Sequence, residues 1–277
     1  MALETMIDFP CRPKRDLGGG DLRGGTESLI DLLAVQRRVQ QVRSSTRPDQ
    51  LTVDLDVRVM RMVDGDTVER VSTLGRLELE LTALEPHVPI CTNCPANATR
   101  GPFGCSVPIR FPIRKSAERW LLDHVLPPDT LGGALCLETL AEETIDGERT
   151  RDFRTRGWVE AFPGLSRTLP KNAYGKSELT GDELLQPLLL AKGRLAPWQS
   201  LNVLFWFGTV KVDDVVPKSL DEMAKVTRLE PTDRAKRARL ALGPVESDEG
   251  VLDVQLFLKV LFVVWVRDVD VFVDAGD

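Results

Sequence analysis

The sequence has few histidines and no long uninterrupted apolar run. Only two histidines occur in 277 residues, so a catalytic triad or a Cys-His pair would have to use His87 or His124. The most apolar stretch, residues 251–266, contains three polar residues and is shorter than the roughly 20 apolar residues that cross a bilayer. We therefore expect a buried helix at this stretch and no membrane span.

The sequence also lacks the marks of a secreted protein. Its first ten residues contain neither the basic segment nor the apolar segment of a signal peptide. The five cysteines, at positions 11, 91, 94, 105 and 136, are too unevenly placed for the disulfide framework of a small secreted domain. We therefore expect a cytoplasmic protein whose cysteines are reduced.

An excess of positive charge is absent as well. The formal net charge is -6, which gives no overall attraction to nucleic acid or to anionic lipid. One local basic cluster has acidic neighbours and no interleaved aromatic residues, so a solvated helix face is favoured over nucleic-acid binding. We expect another protein as the partner. The basic cluster consists of Arg234, Lys236, Arg237 and Arg239.

The periodicity of apolar residues predicts an α+β fold. Alternating apolar residues predict strands at 51–59, 67–73, 77–81, 107–113 and 268–274, with a hairpin turn at 64–66. Helical periodicity predicts helices at 28–42, 116–125, 131–143, 182–192, 197–207 and 251–266. We expect an antiparallel or mixed sheet covered by helices. The N-terminal half is strand-rich, and the C-terminal half is helical with a final strand that returns to the sheet.

The same pattern predicts the domain organisation. Residues 1–25 have no apolar periodicity and contain three consecutive glycines, so we expect a flexible lead-in. Residues 26–277 are expected to form a single α+β domain, because the last strand returns to the sheet. A cysteine-rich loop lies at 87–105, and residues 178–266 are a possible helical subdomain.

The cysteine-rich loop is the most informative passage of the sequence. Cys91 and Cys94 form a Cys-x-x-Cys pair that can offer two thiolates to one metal ion, and Cys105 follows in the same loop. Tetrahedral zinc needs a fourth ligand, for which His87 is the nearest candidate and Cys136 the alternative. Cys11 and His124 rank after His87 and Cys136 as candidates for the fourth ligand.

Three readings of this loop stay open beside zinc. They are an iron–sulfur cluster, a redox dithiol and cysteines that merely pack in the core. The sequence therefore predicts a non-enzymatic interaction or adaptor protein whose loop is a structural zinc clasp. The first alternative is an iron–sulfur or thiol-redox protein using Cys91, Cys94 and Cys105. The second alternative is a hydrolase or transferase whose site is not visible in the sequence.

Overall fold

The computed structural model describes residues 2–63, 66–99, 101–110, 114–124, 193–217, 220–244 and 247–276. The helices predicted at 131–143 and 182–192 lie outside these residues, as does Cys136. In chain order the elements are β1 (Ala2–Ile7), α1 (Arg12–Leu17), α2 (Leu22–Ser45), β2 (Asp56–Val63), β3 (Asp66–Thr73), α3 (Leu74–Leu81), α4 (Val88–Thr92), β4 (Ser106–Arg110), α5 (Lys115–His124), β5 (Gly193–Leu195), α6 (Pro197–Trp206), β6 (Val210–Val212), α7 (Leu220–Thr227), α8 (Pro231–Arg237), β7 (Ala238–Leu240), α9 (Glu249–Arg267) and β8 (Val271–Gly276). Short 3₁₀ helices lie at Pro48–Gln50 and Thr82–His87.

The chain is an α+β protein, as the sequence predicted, and its contacts divide it into two compact units. We call Asp8–Ser106 with Ala275–Asp277 the cysteine unit. We call Met1–Ile7 with Val107–Asp274 the sheet unit.

The cysteine unit is built on the β2–β3 hairpin and helix α2. The two strands pair antiparallel, from Asp56 opposite Thr73 to Val63 opposite Asp66, which agrees with the predicted hairpin. The first strand starts at Asp56 and not at residue 51. Apolar side chains from α2, β2 and α3 form one buried core, which consists of Val35, Val39, Val57, Val59, Leu74 and Leu77.

The third strand predicted at 77–81 is wrong, because these residues belong to helix α3. Thr73 caps the helix by accepting a hydrogen bond from the backbone N–H of Arg76. Leu74 and Leu77 are buried three residues apart on one helix face, while Leu79 is 69% exposed. Leucine and glutamate both favour helices, so their alternation did not require a strand.

The lead-in predicted at residues 1–25 contains regular structure. It includes strand β1, helix α1 and the first residues of α2. The glycine run supplies a turn between the two helices, because Gly19 and Gly20 adopt φ of +59° and +103°, which glycine adopts without steric cost.

The sheet unit contains a four-stranded sheet in the order β4-β1-β8-β5. Strand β4, which contains Pro108, lies at one edge of this sheet, where a missing backbone N–H is tolerated. The hydroxyl of Thr5 in β1 donates to the carbonyl of Val107 at 2.7 Å. The C-terminal strand β8 does return to this sheet. Of the strands predicted before the C-terminal half, β4 shares this sheet with β8 as expected, whereas β2 and β3 pair only with each other among the described strands.

Helix α9 contributes more buried apolar side chains than any other described element of the sheet unit. Asp248 caps its start by accepting from the backbone N–H groups of Gly250 and Val251, and Asp268 ends it in the left-handed conformation. The polar Gln255 is accommodated because its side-chain amide donates to two backbone carbonyls, at 3.1 and 3.2 Å. No helix among the described residues is both long and apolar enough to span a membrane.

Candidate functional site

Cys11 is placed by the packing of the short helix α1. It occupies the N-cap position of α1, and its carbonyl accepts from the backbone N–H of Arg15 at 3.2 Å. The backbone of α1 lies directly against α2 at Gly25, where an added Cβ would be 1.7 Å from the carbonyl oxygen of Lys14. Helix α1 also contacts α4, which carries Cys91. Cys11 is therefore brought towards the cysteine loop.

The Cys-x-x-Cys pair lies at the C-terminal end of α4. Cys91 is buried in the last turn of the helix, and the backbone N–H of Cys94 donates to the carbonyl of Cys91 at 3.2 Å. The next turn is closed by a hydrogen bond of 2.9 Å from the backbone N–H of Asn97 to the carbonyl of Cys94. Two successive tight turns thus fix the backbone that carries both thiols.

Asn97 holds the rest of the loop together. Its side-chain amide donates to the carbonyls of Cys91 and Gly101, at 3.0 and 2.8 Å, so it links the start of the loop to its far side. The backbone N–H of Ala98 donates to the carbonyl of Gly104 at 2.8 Å and positions the neighbouring Cys105. Asparagine is a common turn residue, but the sequence alone did not mark Asn97 as the centre of this network.

Gly104→Ala is expected to destabilise the protein by about 2 kcal/mol, in the range of substitutions that break a buried hydrogen-bond network. The new Cβ would lie 2.0 Å from Oδ1 of Asn97 and 2.1 Å from Oγ1 of Thr99. The matched control is Gly101→Ala in the same loop, whose Cβ would meet Oγ1 of Thr99 at an ordinary 3.7 Å. Thermal unfolding of the two variants compares them, and equal melting temperatures would contradict this description of the loop.

The thiols of the loop are held in an environment that disfavours their charged form. Burial raises the pKa of Cys105 to about 12 and that of Cys91 to about 11. Burial also raises the pKa of Cys11. The backbone N–H of Phe103 acts in the opposite direction on Cys91, and that of Lys14 does so on Cys11. Protonated thiols are weak nucleophiles and weak ligands until a cation displaces the proton.

Four cysteines form one electrostatic group, which we call the thiol group: Cys11, Cys91, Cys94 and Cys105. Every pair among these four thiols interacts electrostatically. All four are free thiols, and they come from the N-cap of α1, the end of α4 and the end of the loop. Within the described ranges, no group of three or more His, Cys, Asp or Glu side chains is arranged so that it could hold a metal ion.

A lysine is buried beside the thiol group. The side chain of Lys14 is only 1% exposed, and its Nζ lies 3.8 Å from Oδ1 of Asp8. The burial of Lys14 beside Asp8 could not be predicted from the sequence, because a lysine in a polar N-terminal stretch is normally expected to be solvent-exposed.

The predicted ligands Cys91, Cys94 and Cys105 interact electrostatically with one another and with Cys11. Their role as metal ligands stays a prediction. His87 is buried, and its Nδ1 has no hydrogen-bond partner among the described residues. Its role as the fourth ligand stays a prediction, as does that of Cys136, which lies outside the described residues. His124 is the last residue of α5.

Arginines of the basic cluster form ion pairs with carboxylates of the sheet unit. Arg237 donates to the carboxylate of Asp213 at 2.6 Å, and this hydrogen bond lowers the pKa of Asp213. Arg234 donates to Asp268 at 2.7 Å and lies over the ring of Trp265. Two of the four cluster residues, Arg234 and Arg237, are therefore paired with carboxylates of the sheet unit. A cleft of about 360 Å³ beside Arg234 and Trp265 therefore contains paired charges.

No family model matches this chain, and no curated protein or solved structure resembles it closely enough to support an inference. The thiol group therefore has to be interpreted from its own geometry.

Proposed function

We propose that this chain is a metal-binding protein in which Cys11, Cys91, Cys94 and Cys105 together hold a thiolate-bound metal centre. The observation that carries the proposal is that four free thiols from three separate segments interact electrostatically with one another. Four thiolates are the ligand set of many structural zinc sites and of most iron–sulfur clusters. The proposal replaces His87 by Cys11 as the favoured fourth ligand.

In the zinc form of the proposal, the centre is a structural clasp. It would tie α1 to α4 and to the end of the loop, and the free energy of metal binding would add to the stability of the cysteine unit. The chain would then act as a non-enzymatic interaction or adaptor protein of the cytoplasm, where thiols stay reduced. Its partner would be another protein.

In the iron–sulfur form of the proposal, the same thiols hold a cluster. One zinc ion bound at 2.3 Å to four sulfurs holds the Sγ atoms about 3.8 Å apart. A four-iron cluster binds each cysteine through a different iron atom, so its sulfurs lie further apart. The four thiols interact electrostatically in every pair, which is compatible with either form of the proposal.

The test is the metal content of the full chain, purified under nitrogen without chelator. Mass spectrometry for metals, an assay for acid-labile sulfide and a visible spectrum are recorded on the same sample. A coloured protein with iron and sulfide in similar amounts supports the cluster. A colourless protein with about one zinc per chain supports the clasp. If the purified chain and a chain reconstituted with either metal both contain none, the proposal is wrong.

A further inference from the structure

The sheet unit contains a cleft between helix α6 and the C-terminal end of α9, two helices that pack against each other. Its volume of about 360 Å³ is at the lower end of the range for ligand-binding pockets. Trp198 and Leu201 lie three residues apart on one face of α6 and supply apolar lining. Asp268 and Asp270, which follow α9, supply two carboxylates. The lining is therefore both aromatic and acidic.

Trp198 is the accessible aromatic residue of this lining. It is 41% exposed, whereas Trp265, which also lines the cleft, is 1% exposed. The face of an indole ring attracts cations more strongly than the rings of tyrosine and phenylalanine do. An exposed indole beside two carboxylates therefore suits a ligand with a positive charge.

The charges of the lining also favour a cation. Two carboxylates and one guanidinium, that of Arg234, line the cleft, so negative charge is in excess by one. Arg234 is directed into the fold: its side chain is 12% exposed, and it donates to Asp268 at 2.7 Å. Asp270 pairs with Arg194 only at 3.8 Å, and the side chains are 38% and 50% exposed. Such an exposed pair contributes little, so Asp270 can accept another cation.

The protein already binds one guanidinium at this place by the same chemistry. Arg234 lies over the ring of Trp265, 5.7 Å from the ring centroid, while it donates to the carboxylate of Asp268. We propose that the cleft binds a second guanidinium, the arginine side chain of a partner protein, between the exposed ring of Trp198 and the carboxylate of Asp270. Arginine suits this pairing better than lysine, because its planar group stacks on a ring and binds a carboxylate through two N–H groups. The proposal does not depend on the metal centre.

The test measures the binding of acetyl-arginine amide to the full chain by saturation-transfer NMR, which detects a weakly bound probe through its own signals. Acetyl-citrulline amide has nearly the same shape without the charge, and acetyl-lysine amide has the charge without the planar group. We expect saturable binding of the arginine probe. The other two probes should bind at least about fivefold more weakly.

Three variants locate the binding. Asp270→Asn and Trp198→Leu should each weaken binding of the arginine probe about fivefold, the effect of losing one exposed ion pair or one exposed cation–π contact. Asp213→Asn is the matched control. It removes a carboxylate that is also part exposed and paired with an arginine of the sheet unit, but this carboxylate does not line the cleft. Its affinity for the probe should equal that of the wild type.

Several results would overturn the proposal. They are no saturable binding of the arginine probe, equally tight binding of the citrulline or lysine probe, and equal affinities of Asp270→Asn and Asp213→Asn. Circular dichroism shows whether each variant folds. If Trp198→Leu does not fold, Asp270→Asn decides alone: weaker binding than in Asp213→Asn supports the proposal, and any other result overturns it.

Discussion

Cys11→Ser is expected to abolish metal binding and to lower the melting temperature of the purified chain, whereas Cys136→Ser leaves both unchanged. Serine is close to cysteine in size, so the main change is the loss of one thiolate. If that loss lowers metal affinity about a thousandfold, the folded state loses about 4 kcal/mol of ligand stabilisation. Metal content and thermal unfolding, measured on the same preparations, check this.

Comparison of the metal-free forms separates ligation from packing. Stripped wild type and stripped Cys11→Ser should melt at similar temperatures, because the substitution then removes no metal bond. His87→Gln tests the fourth ligand that the sequence favoured. If Cys11→Ser keeps its metal while Cys136→Ser or His87→Gln loses it, the fourth ligand is that other residue and not Cys11.

The difference between the sequence prediction and the thiol group has a physical cause. Cys91, Cys94 and Cys105 could be predicted as a group because they lie within one short loop. Cys11 could not be ranked first, because its position depends on a contact between two helix backbones at Gly25. That contact is between backbone atoms on both sides, so apolar periodicity gives no sign of it.

The elements of the fold were predictable to a similar degree. The α2 helix, the β2–β3 hairpin and the C-terminal strand could be predicted from the periodicity of apolar residues, because that periodicity reflects the geometry of the local backbone. Periodicity tells which face of a strand is buried but not which strand lies beside it. The separation of β2 and β3 from the four-stranded sheet was therefore missed. The run of three glycines marked a tight turn, and the sequence alone did not distinguish this from flexibility.

Gly25→Ala should be the most damaging single-methyl substitution in the cysteine unit. The new Cβ would stand 1.7 Å from the carbonyl oxygen of Lys14 and 2.5 Å from its carbonyl carbon, and both atoms belong to the backbone. No rotamer change can relieve a backbone clash, so α1 has to move away from α2. We expect a loss of about 3 kcal/mol, the upper part of the range for overpacked interiors, together with weaker metal binding because Cys11 is the N-cap residue of α1.

Gly24→Ala is the matched control, one residue earlier in the same helix turn. Its Cβ would meet only the side chain of Asp21, at 3.0 Å, and alanine is favoured over glycine within a helix by about 1 kcal/mol. Thermal unfolding should therefore show Gly24→Ala close to wild type and Gly25→Ala far below it. Equal stability of the two variants would mean that α1 does not pack on α2 through Gly25, and the route that brings Cys11 to the other three thiols would then be wrong.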